Sequence, residues 1–482
     1  MDLLQVKGSK IVDAAGKTVR LRGACVGGWM NTEDFINAYP GTETNIRKRM
    51  KEVLGASRGE YFFRRMLDNF FNEDDIRFIS QTGANCVRLA LNYRHFEDDG
   101  SPFEYKEEGF ELLESVVKAC EKYEVYVILD MHSIQGWQNS HWHCDNERGA
   151  SLLWTHKMFQ DRLAGLWKEL ARRYKGRSVI AGYELMNEPC SNTPSGDHVF
   201  DFFENYRSDW DAINSVYRRL VEDIRSVDAE HIIFMEGDRY GRLFKGLDKP
   251  FAPNLVYSSH NYMDPGFGPG LYPGHFGEGG MASYWDRNRH CRELTNDEGF
   301  NFTQENNVPL WIGEFGSQYH GPVEELPYRL RSMDDQLSVY NQFGIHWTSW
   351  TYKDAGVMGW VTLDPESEYM QIVKPVQQMK RKLGAENFVA MYTACPGREK
   401  TKELANLMLD TSCLPYSHSS NAYALNYAAL TGFAAALLQP AYANRFKGMN
   451  EDDIDRVMDA FNIKNCVVNK EYIEILKKRL TE

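Results

Sequence analysis

Short apolar runs alternate along this chain with longer segments in which apolar residues recur every three or four positions. The runs have the length and composition of strands buried on both faces, whereas the periodic segments are typical of amphipathic helices. Clear helical segments cover residues 105–123, 154–174 and 210–227. The pattern therefore predicts successive βα units around a parallel sheet. Eight strands are predicted, at residues 21–26, 85–91, 125–131, 179–186, 231–236, 255–260, 309–314 and 345–350.

Eight βα units predict an α/β fold, a (β/α)8 or TIM barrel. A hairpin with strands at residues 5–12 and 18–21, turning at residues 15–17, is expected to plug the floor of the barrel. After about residue 385 the alternation stops, and the remaining residues have helical patterning. We therefore expect a barrel domain at residues 1–385 and a helical C-terminal extension at residues 386–482.

Three connections that follow predicted strands are too long to be simple turns, at residues 27–72, 133–151 and 261–301. Connections of this length in a compact domain are usually functional. They would surround the C-terminal ends of the strands, where barrel enzymes bind their substrates. The longest apolar stretch, residues 424–438, is shorter than the roughly 20 residues that a bilayer requires, so it predicts a buried helix.

Composition narrows the class of protein. The chain has 482 residues, 43% of them hydrophobic, and a formal net charge of -13, which disfavours a nucleic-acid partner. Nine cysteines without a Cys-x-x-Cys pair suit free thiols in a reducing compartment. The first residues show no secretory signal. We therefore expect a cytoplasmic protein that binds neither nucleic acid nor membrane.

Two glutamates carry the candidate chemistry. Glu188 and Glu314 each end an apolar run, where a carboxylate is out of place unless it has a function. Because the strands of a parallel barrel end at one face, the two carboxyl groups are expected to converge. Paired carboxylates cleave glycosidic bonds, one as an acid with a raised pKa and the other as an ionised nucleophile. A separation of about 5 Å would indicate retention of configuration, and roughly 9 Å would indicate inversion.

Further residues are predicted to bind substrate. Arg88 would keep the nucleophile charged, and Asn187 would bond the 2-hydroxyl group of the sugar. Trp350 offers a flat apolar face on which a pyranose ring can stack. The other predicted substrate-binding residues are His132, Trp137, His260 and Tyr262.

Structural alternatives stay open for several of these residues. Arg88 could be a buried ion pair with Glu184, Trp350 could be core packing, and the histidines could be satisfied core residues. In the loop at residues 135–145, four possible metal ligands occur, but their spacing is weak evidence for a metal site. These four are His141, His143, Cys144 and Asp145. The tryptophans of this loop favour a sugar-binding wall, and neither a metal nor another cofactor is predicted.

The motifs together resemble glycoside hydrolase family 5, over roughly residues 5 to 385. The resemblance rests on Asn187-Glu188-Pro189, the Trp-Ile-Gly-Glu-Phe-Gly segment that contains Glu314, Val87-Arg88-Leu89, Asp130-Met-His132, His260-Asn-Tyr262 and Trp350. It implies that Glu188 is the acid/base and Glu314 the nucleophile of a retaining enzyme whose catalytic domain is the barrel. It also implies that the subsite of the cleaved sugar is lined by Arg88, His132, Asn187, His260, Tyr262 and Trp350.

Long aromatic-rich loops suit a pocket, and short imported oligosaccharides are the glycans that reach the cytoplasm. The sequence therefore predicts an exo-β-glycosidase. Gly-Trp-Gln-Asn at residues 136–139 and the helical tail look similar to intracellular β-mannosidases, with substrates such as mannosyl-β-1,4-N-acetylglucosamine. The alternatives are a β-glucosidase, an endo-β-1,4-glucanase or mannanase, a metal-dependent hydrolase and a non-catalytic carbohydrate-binding barrel. A homo-oligomer formed through the C-terminal helices is also possible on this sequence.

Overall fold

A computed structural model describes residues 1–192, 206–268, 270–276, 283–319, 323–386, 395–412, 422 and 424–482. Seventeen strands are found in these ranges. They are β1 Gln5–Lys7, β2 Lys10–Val12, β3 Arg22–Val26, β4 Cys86–Asn92, β5 Glu97–Asp98, β6 Ser101–Tyr105, β7 Tyr126–Ser133, β8 Ile180–Glu184, β9 Ile232–Glu236, β10 Leu255–His260, β11 Gly274–Phe276, β12 Ser283–Trp285, β13 Leu310–Glu314, β14 His346–Ser349, β15 Lys353–Asp354, β16 Val361–Leu363 and β17 Cys466–Val468.

The α-helices of the same ranges lie mainly between these strands and after the last barrel strand. They are α1 Glu43–Leu54, α2 Ala56–Phe70, α3 Glu73–Gln81, α4 Glu107–Lys122, α5 Lys157–Tyr174, α6 Trp210–Arg225, α7 Asp238–Gly241, α8 Arg287–Asn296, α9 Glu298–Asn306, α10 Leu326–Phe343, α11 Glu368–Leu383, α12 Pro396–Ser412, α13 Ala435–Ala443, α14 Glu451–Met458 and α15 Lys470–Thr481. A π-helix, Tyr427–Ala434, leads into α13. None of the described helices is both long and apolar enough to cross a lipid bilayer.

Eight parallel strands close into a barrel in the order β3-β4-β7-β8-β9-β10-β13-β14. This confirms the predicted (β/α)8 fold, and β10 has the predicted bounds. All eight residues of β7 are buried, because helices cover the outside of the sheet and side chains fill the inside. Covered faces explain why the strands are continuous apolar runs in the sequence.

Before the predicted turn at residues 15–17, where the Gly16 N–H donates to the Asp13 carbonyl oxygen at 2.9 Å, the chain makes an earlier turn that was not predicted. Strand β1 pairs with β2 in antiparallel register, so the turn is at Gly8, whose φ of 61° favours glycine. The predicted strand at residues 5–12 is thus a complete hairpin, and Thr18 adds one isolated bridge to Val12. Leu4 and Ile11 pack with residues from the N-terminal halves of the barrel strands. The hairpin therefore covers the expected end of the barrel.

Two of the three long connections contain regular structure that was not predicted. The connection after β3 forms α1 and α2, so only its first part is irregular. The connection after β10 contains the β11–β12 hairpin and the helices α8 and α9. The connection after β7 is irregular except for a 3-10 turn at Trp142–Cys144. All three begin at the C-terminal ends of barrel strands.

The C-terminal region contains the expected helices and an additional strand, β17, which pairs with β16. It packs on the barrel, since the Arg22 guanidinium donates to the backbone carbonyls of Arg479 and Leu480. The prediction of a buried helix at residues 424–438 is wrong in part, because Phe433 and Leu437 are exposed. Residues 387–394 lie outside the described residues, and the domain boundary at residue 385 stays a prediction.

Candidate active site

Arg88 lies at the centre of a polar cluster inside the barrel. It extends from β4 and is fully buried. The guanidinium donates to Glu184 Oε2 at 2.5 Å, to Glu314 Oε1 at 2.7 Å and to Asn187 Oδ1 at 2.8 Å. It also lies 3.2 Å from Asp130 Oδ2. The predicted ion pair with Glu184 and the predicted contact with Glu314 therefore exist together.

Glu314 is the last residue of β13 and is almost completely buried. One carboxylate oxygen accepts from Arg88, and the other accepts from the Tyr262 hydroxyl group at 2.9 Å. Both oxygens of the carboxylate thus have a hydrogen-bond donor, and one of these donors is a cation. The contacts of this carboxylate are those that a nucleophile requires.

Glu188 has different surroundings. It lies four residues beyond the end of β8, compared with two beyond the predicted strand at residues 179–186, and has a φ of 47°. Its backbone N–H donates to Glu236 Oε2 at 3.0 Å. Burial raises the pKa of the Glu188 carboxyl group, although the Arg88 guanidinium would lower it, as would His143 in its protonated form. A carboxyl group with a raised pKa can carry a proton to a leaving group.

His260 connects the two carboxyl groups. Its Nδ1 lies 2.8 Å from Glu188 Oε1 and 3.6 Å from Glu314 Oε2. One oxygen of Glu188 and one of Glu314 lie within 4.8 Å of each other and of a ring nitrogen of His260. This separation matches the spacing of about 5 Å in retaining glycosidases and is shorter than that of inverting ones.

His132 and Asn187 form a second hydrogen-bonded pair. Because the Asn187 Oδ1 accepts from Arg88, its amide nitrogen faces His132 Nε2 at 3.2 Å. His132 Nε2 is then an acceptor, and Nδ1 donates to Asp130 Oδ2 at 2.8 Å. Burial lowers the pKa of His132 to about 3. The Trp350 ring stacks on the His132 ring, with centroids 5.3 Å apart and an interplanar angle of 5°.

Trp137 is the predicted site residue that this cluster does not contain. It is partly buried in the connection after β7, and its indole N–H donates to the carbonyl oxygen of Asp145 at 3.1 Å. This contact lies within the connection itself. The structure therefore gives Trp137 a role in shaping the loop, and its contact with a sugar stays a prediction.

The four possible metal ligands of the same loop have separate partners. His143 Nε2 lies 3.1 Å from Glu188, and a ring nitrogen of His141 lies 2.8 Å from the Tyr240 hydroxyl. Cys144 and Asp145 contact Asn139 and Thr44, respectively. These four residues do not converge. Within the described residues, the group of ligand atoms close enough for a metal consists of Glu188, His260 and Glu314.

Three further acidic or basic residues of the site were not predicted. Glu33, in the connection after β3, is 3% exposed, and its Oε1 lies 3.6 Å from His132 Nε2. Burial and the neighbouring carboxylates raise its pKa well above the usual range. Glu236 ends β9, so the argument that identified Glu314 could have found it. His143 was considered only as a metal ligand.

The chain is similar to known proteins in sequence and in structure. Residues 50–356 match the family described as Cellulase (glycosyl hydrolase family 5). The chain is 32% identical over 485 residues to a beta-xylosidase from Phanerodontia chrysosporium, covering 97% of this chain and 96% of that protein. It is 25% identical over 330 residues to endoglucanase C from Acetivibrio thermocellus, covering 62% and 88%. A crystal structure of endogalactoceramidase superposes with a TM-score of 0.49 and 18% identity, over 73% of this chain and 75% of that one.

Proposed function

Because the chain belongs to glycoside hydrolase family 5, we propose that it releases terminal β-linked sugars from short oligosaccharides. Family membership makes it a retaining glycoside hydrolase. The roles of individual residues and the identity of the substrate are proposed. Glu314 attacks the anomeric carbon while Glu188 protonates the departing oxygen. Glu188 then removes a proton from water, and the water oxygen displaces Glu314 from the sugar. Each displacement inverts the configuration at the anomeric carbon, so the two together retain it.

The main support for this proposal is that the carboxyl groups of Glu188 and Glu314 lie less than 5 Å apart but have different surroundings. Arg88 and Tyr262 donate to the two carboxylate oxygens of Glu314 and hold this group in a fixed orientation. Burial favours the protonated form of Glu188. Two neighbouring carboxyl groups with opposite protonation states are what double displacement needs.

Removal of terminal sugars is supported by the extent of the sequence similarity. The similarity to the beta-xylosidase covers 97% of this chain, and it therefore includes the connections and the C-terminal helices. The similarity to endoglucanase C covers only 62%. The connection after β3 is also tightly held, since the Lys380 ammonium group donates to the carbonyl oxygens of Asp34 and Tyr39. A rigid, buried connection suits a pocket with a closed end.

The similarity to the beta-xylosidase makes a terminal β-xyloside the first candidate for the substrate. A β-mannoside, which the sequence analysis favoured through residues 136–139, is the second. The described cysteines form no disulfide. This is compatible with the proposed cytoplasmic location, where short imported oligosaccharides would be the substrates.

A panel of aryl β-xyloside, β-mannoside, β-glucoside and β-galactoside tests the choice of sugar by comparison of kcat/KM. Proton NMR of the first-formed product should show the β-anomer. Glu314→Gln should abolish turnover without loss of the fold, and a chelator should leave activity unchanged. Rapid internal cleavage of a polymer would refute terminal action, and highest activity on the β-glucoside would refute both proposed sugars.

A further inference from the structure

His143 contacts the proposed acid/base residue, although the double displacement described above requires no group at this position. Its Nε2 lies 3.1 Å from Glu188 Oε2, on the side of the carboxyl group opposite His260. The two side chains are only 12% and 14% exposed. The neighbouring hydrogen bonds show which atom of His143 carries the ring proton and which oxygen of Glu188 can carry the acid proton.

Asn139 fixes the proton arrangement of His143. The Oδ1 of Asn139 accepts from the backbone N–H of His141 at 2.8 Å, which sets the orientation of the amide. Its Nδ2 donates to the Glu188 carbonyl oxygen at 2.9 Å and lies 3.0 Å from His143 Nε2. An amide nitrogen only donates, so His143 Nε2 must accept. The ring proton of neutral His143 is therefore on Nδ1.

Nε2 has a single lone pair, which the Asn139 N–H and a proton on Glu188 would share, so its contact of 3.1 Å with Glu188 Oε2 is attractive only if Glu188 carries the proton. Burial lowers the pKa of His143 to about 4, so the imidazole is uncharged at neutral pH. With its ring proton on Nδ1, His260 donates to Oε1 of Glu188 at 2.8 Å, and this tautomer leaves Oε2 to carry the acid proton. A hydrogen bond that only the protonated form can make favours that form.

The loop that carries His143 is held from the C-terminal region. The His141 ring contacts two tyrosine rings, with centroid distances of 5.1 Å to Tyr240 and 4.7 Å to Tyr427. Tyr427 belongs to the π-helix, and its hydroxyl group donates to the carbonyl oxygen of Ser140 at 3.1 Å. The C-terminal helices thus reach the active-site loop and limit the movement of His143.

We propose that His143 is a positioning residue that accepts the acid proton of Glu188 and keeps this carboxyl group protonated until substrate binds. The inference depends on the proposed role of Glu188. When the glycosidic C–O bond breaks, the proton passes from Glu188 to the departing oxygen, and His143 neither gains nor loses a proton. Other titratable or charged groups that face this pair are Glu33, Arg88, Asp130, His132, His141, Cys190, Glu236, Arg242, His260, Tyr262 and Glu314.

The test compares His143→Phe, which keeps a ring without an acceptor, with His143→Gln, which keeps an accepting oxygen. Profiles of kcat/KM against pH are measured with phenyl and dinitrophenyl glycosides. For His143→Phe the alkaline limb of the phenyl profile should move to lower pH by about half to one pH unit. The dinitrophenyl rate at neutral pH should change less than about twofold, because a good leaving group needs little acid assistance. His143→Gln should lie closer to the wild type.

Three results would overturn the inference. These are an unchanged or raised alkaline limb, equal losses on both leaving groups, and a Gln variant that behaves like the Phe variant. The exposed His156→Phe is the matched control, and thermal unfolding verifies that each variant is folded. Glu188→Ala separates the two proposals. If it loses no more phenyl than dinitrophenyl activity, the acid role of Glu188 itself is wrong; if it does and His143→Phe does not, only the role of His143 is wrong.

Discussion

Glu33 should make the stability of this protein depend on pH. Its carboxyl group is 3% exposed, and its pKa is raised well above the usual range by burial and by the carboxylates of Glu314, Asp34 and Glu188. A group whose pKa is raised by folding contributes its full stability below its unfolded-state pKa. That contribution is lost as the pH rises through the folded-state pKa. Replacing Glu33 by Gln removes the titrating proton and should remove this loss.

The size of the effect follows from linkage. Between the unfolded-state pKa of about 4.3 and the folded-state pKa, each pH unit lowers the free energy of unfolding by about 1.4 kcal/mol. Unfolding entropy of about 2.1 cal/mol/K per residue gives roughly 1 kcal/mol per degree for a chain of this length. The Tm of Glu33→Gln should therefore rise relative to the wild type by about 1.4 °C for each pH unit above about 5.

Thermal unfolding of both proteins from pH 5 to pH 8, in one buffer series and at one scan rate, measures this difference. Glu108→Gln is the matched control because Glu108 is exposed on α4, and its Tm difference should not change with pH. A Tm difference for Glu33→Gln that stays constant or shrinks as the pH rises would show that Glu33 is ionised in the folded protein. The reasoning from its burial would then be refuted.

Three further substitutions test other contacts. Arg88→Lys should lower kcat at least about 100-fold, because an ammonium group cannot reproduce the fixed fork that bonds three partners. Tyr262→Phe removes a hydrogen bond of 2.9 Å to the Glu314 carboxylate and should lower kcat/KM by about 10- to 150-fold. Lys353→Met leaves buried Asp75 without its ion pair of 2.7 Å. It should lower the free energy of unfolding by about 3–5 kcal/mol, measured with denaturant, and should change kcat little.

Matched substitutions at exposed positions serve as controls for the last two. Tyr284→Phe removes a hydroxyl group from a half-exposed ring, and Lys122→Met removes an exposed ammonium group. Each should change activity and stability by little. Full activity of Arg88→Lys or Tyr262→Phe would contradict the contacts assigned to the nucleophile. A stability of Lys353→Met equal to that of Lys122→Met would contradict the assigned role of the buried pair.

The barrel and much of its site could be predicted from local patterns in the chain. Buried parallel strands must be continuous apolar runs, so the strands could be found from local composition. Because all eight strands end at one face, Arg88, Glu188 and Glu314 could be placed together although they are far apart along the chain. The turn at Gly8 was missed, since Gly16 is an equally good turn residue in the same segment and also has a positive φ.

Which loop residues enter the site depends on long-range packing. The position of Glu33 depends on a connection held by Lys380, and that of His143 depends on a loop held by Tyr427. These contacts join residues hundreds of positions apart and follow no local period. Protonation was decided in the same way, because burial and neighbouring charges set the pKa of a carboxyl group, and both exist only after the chain has folded.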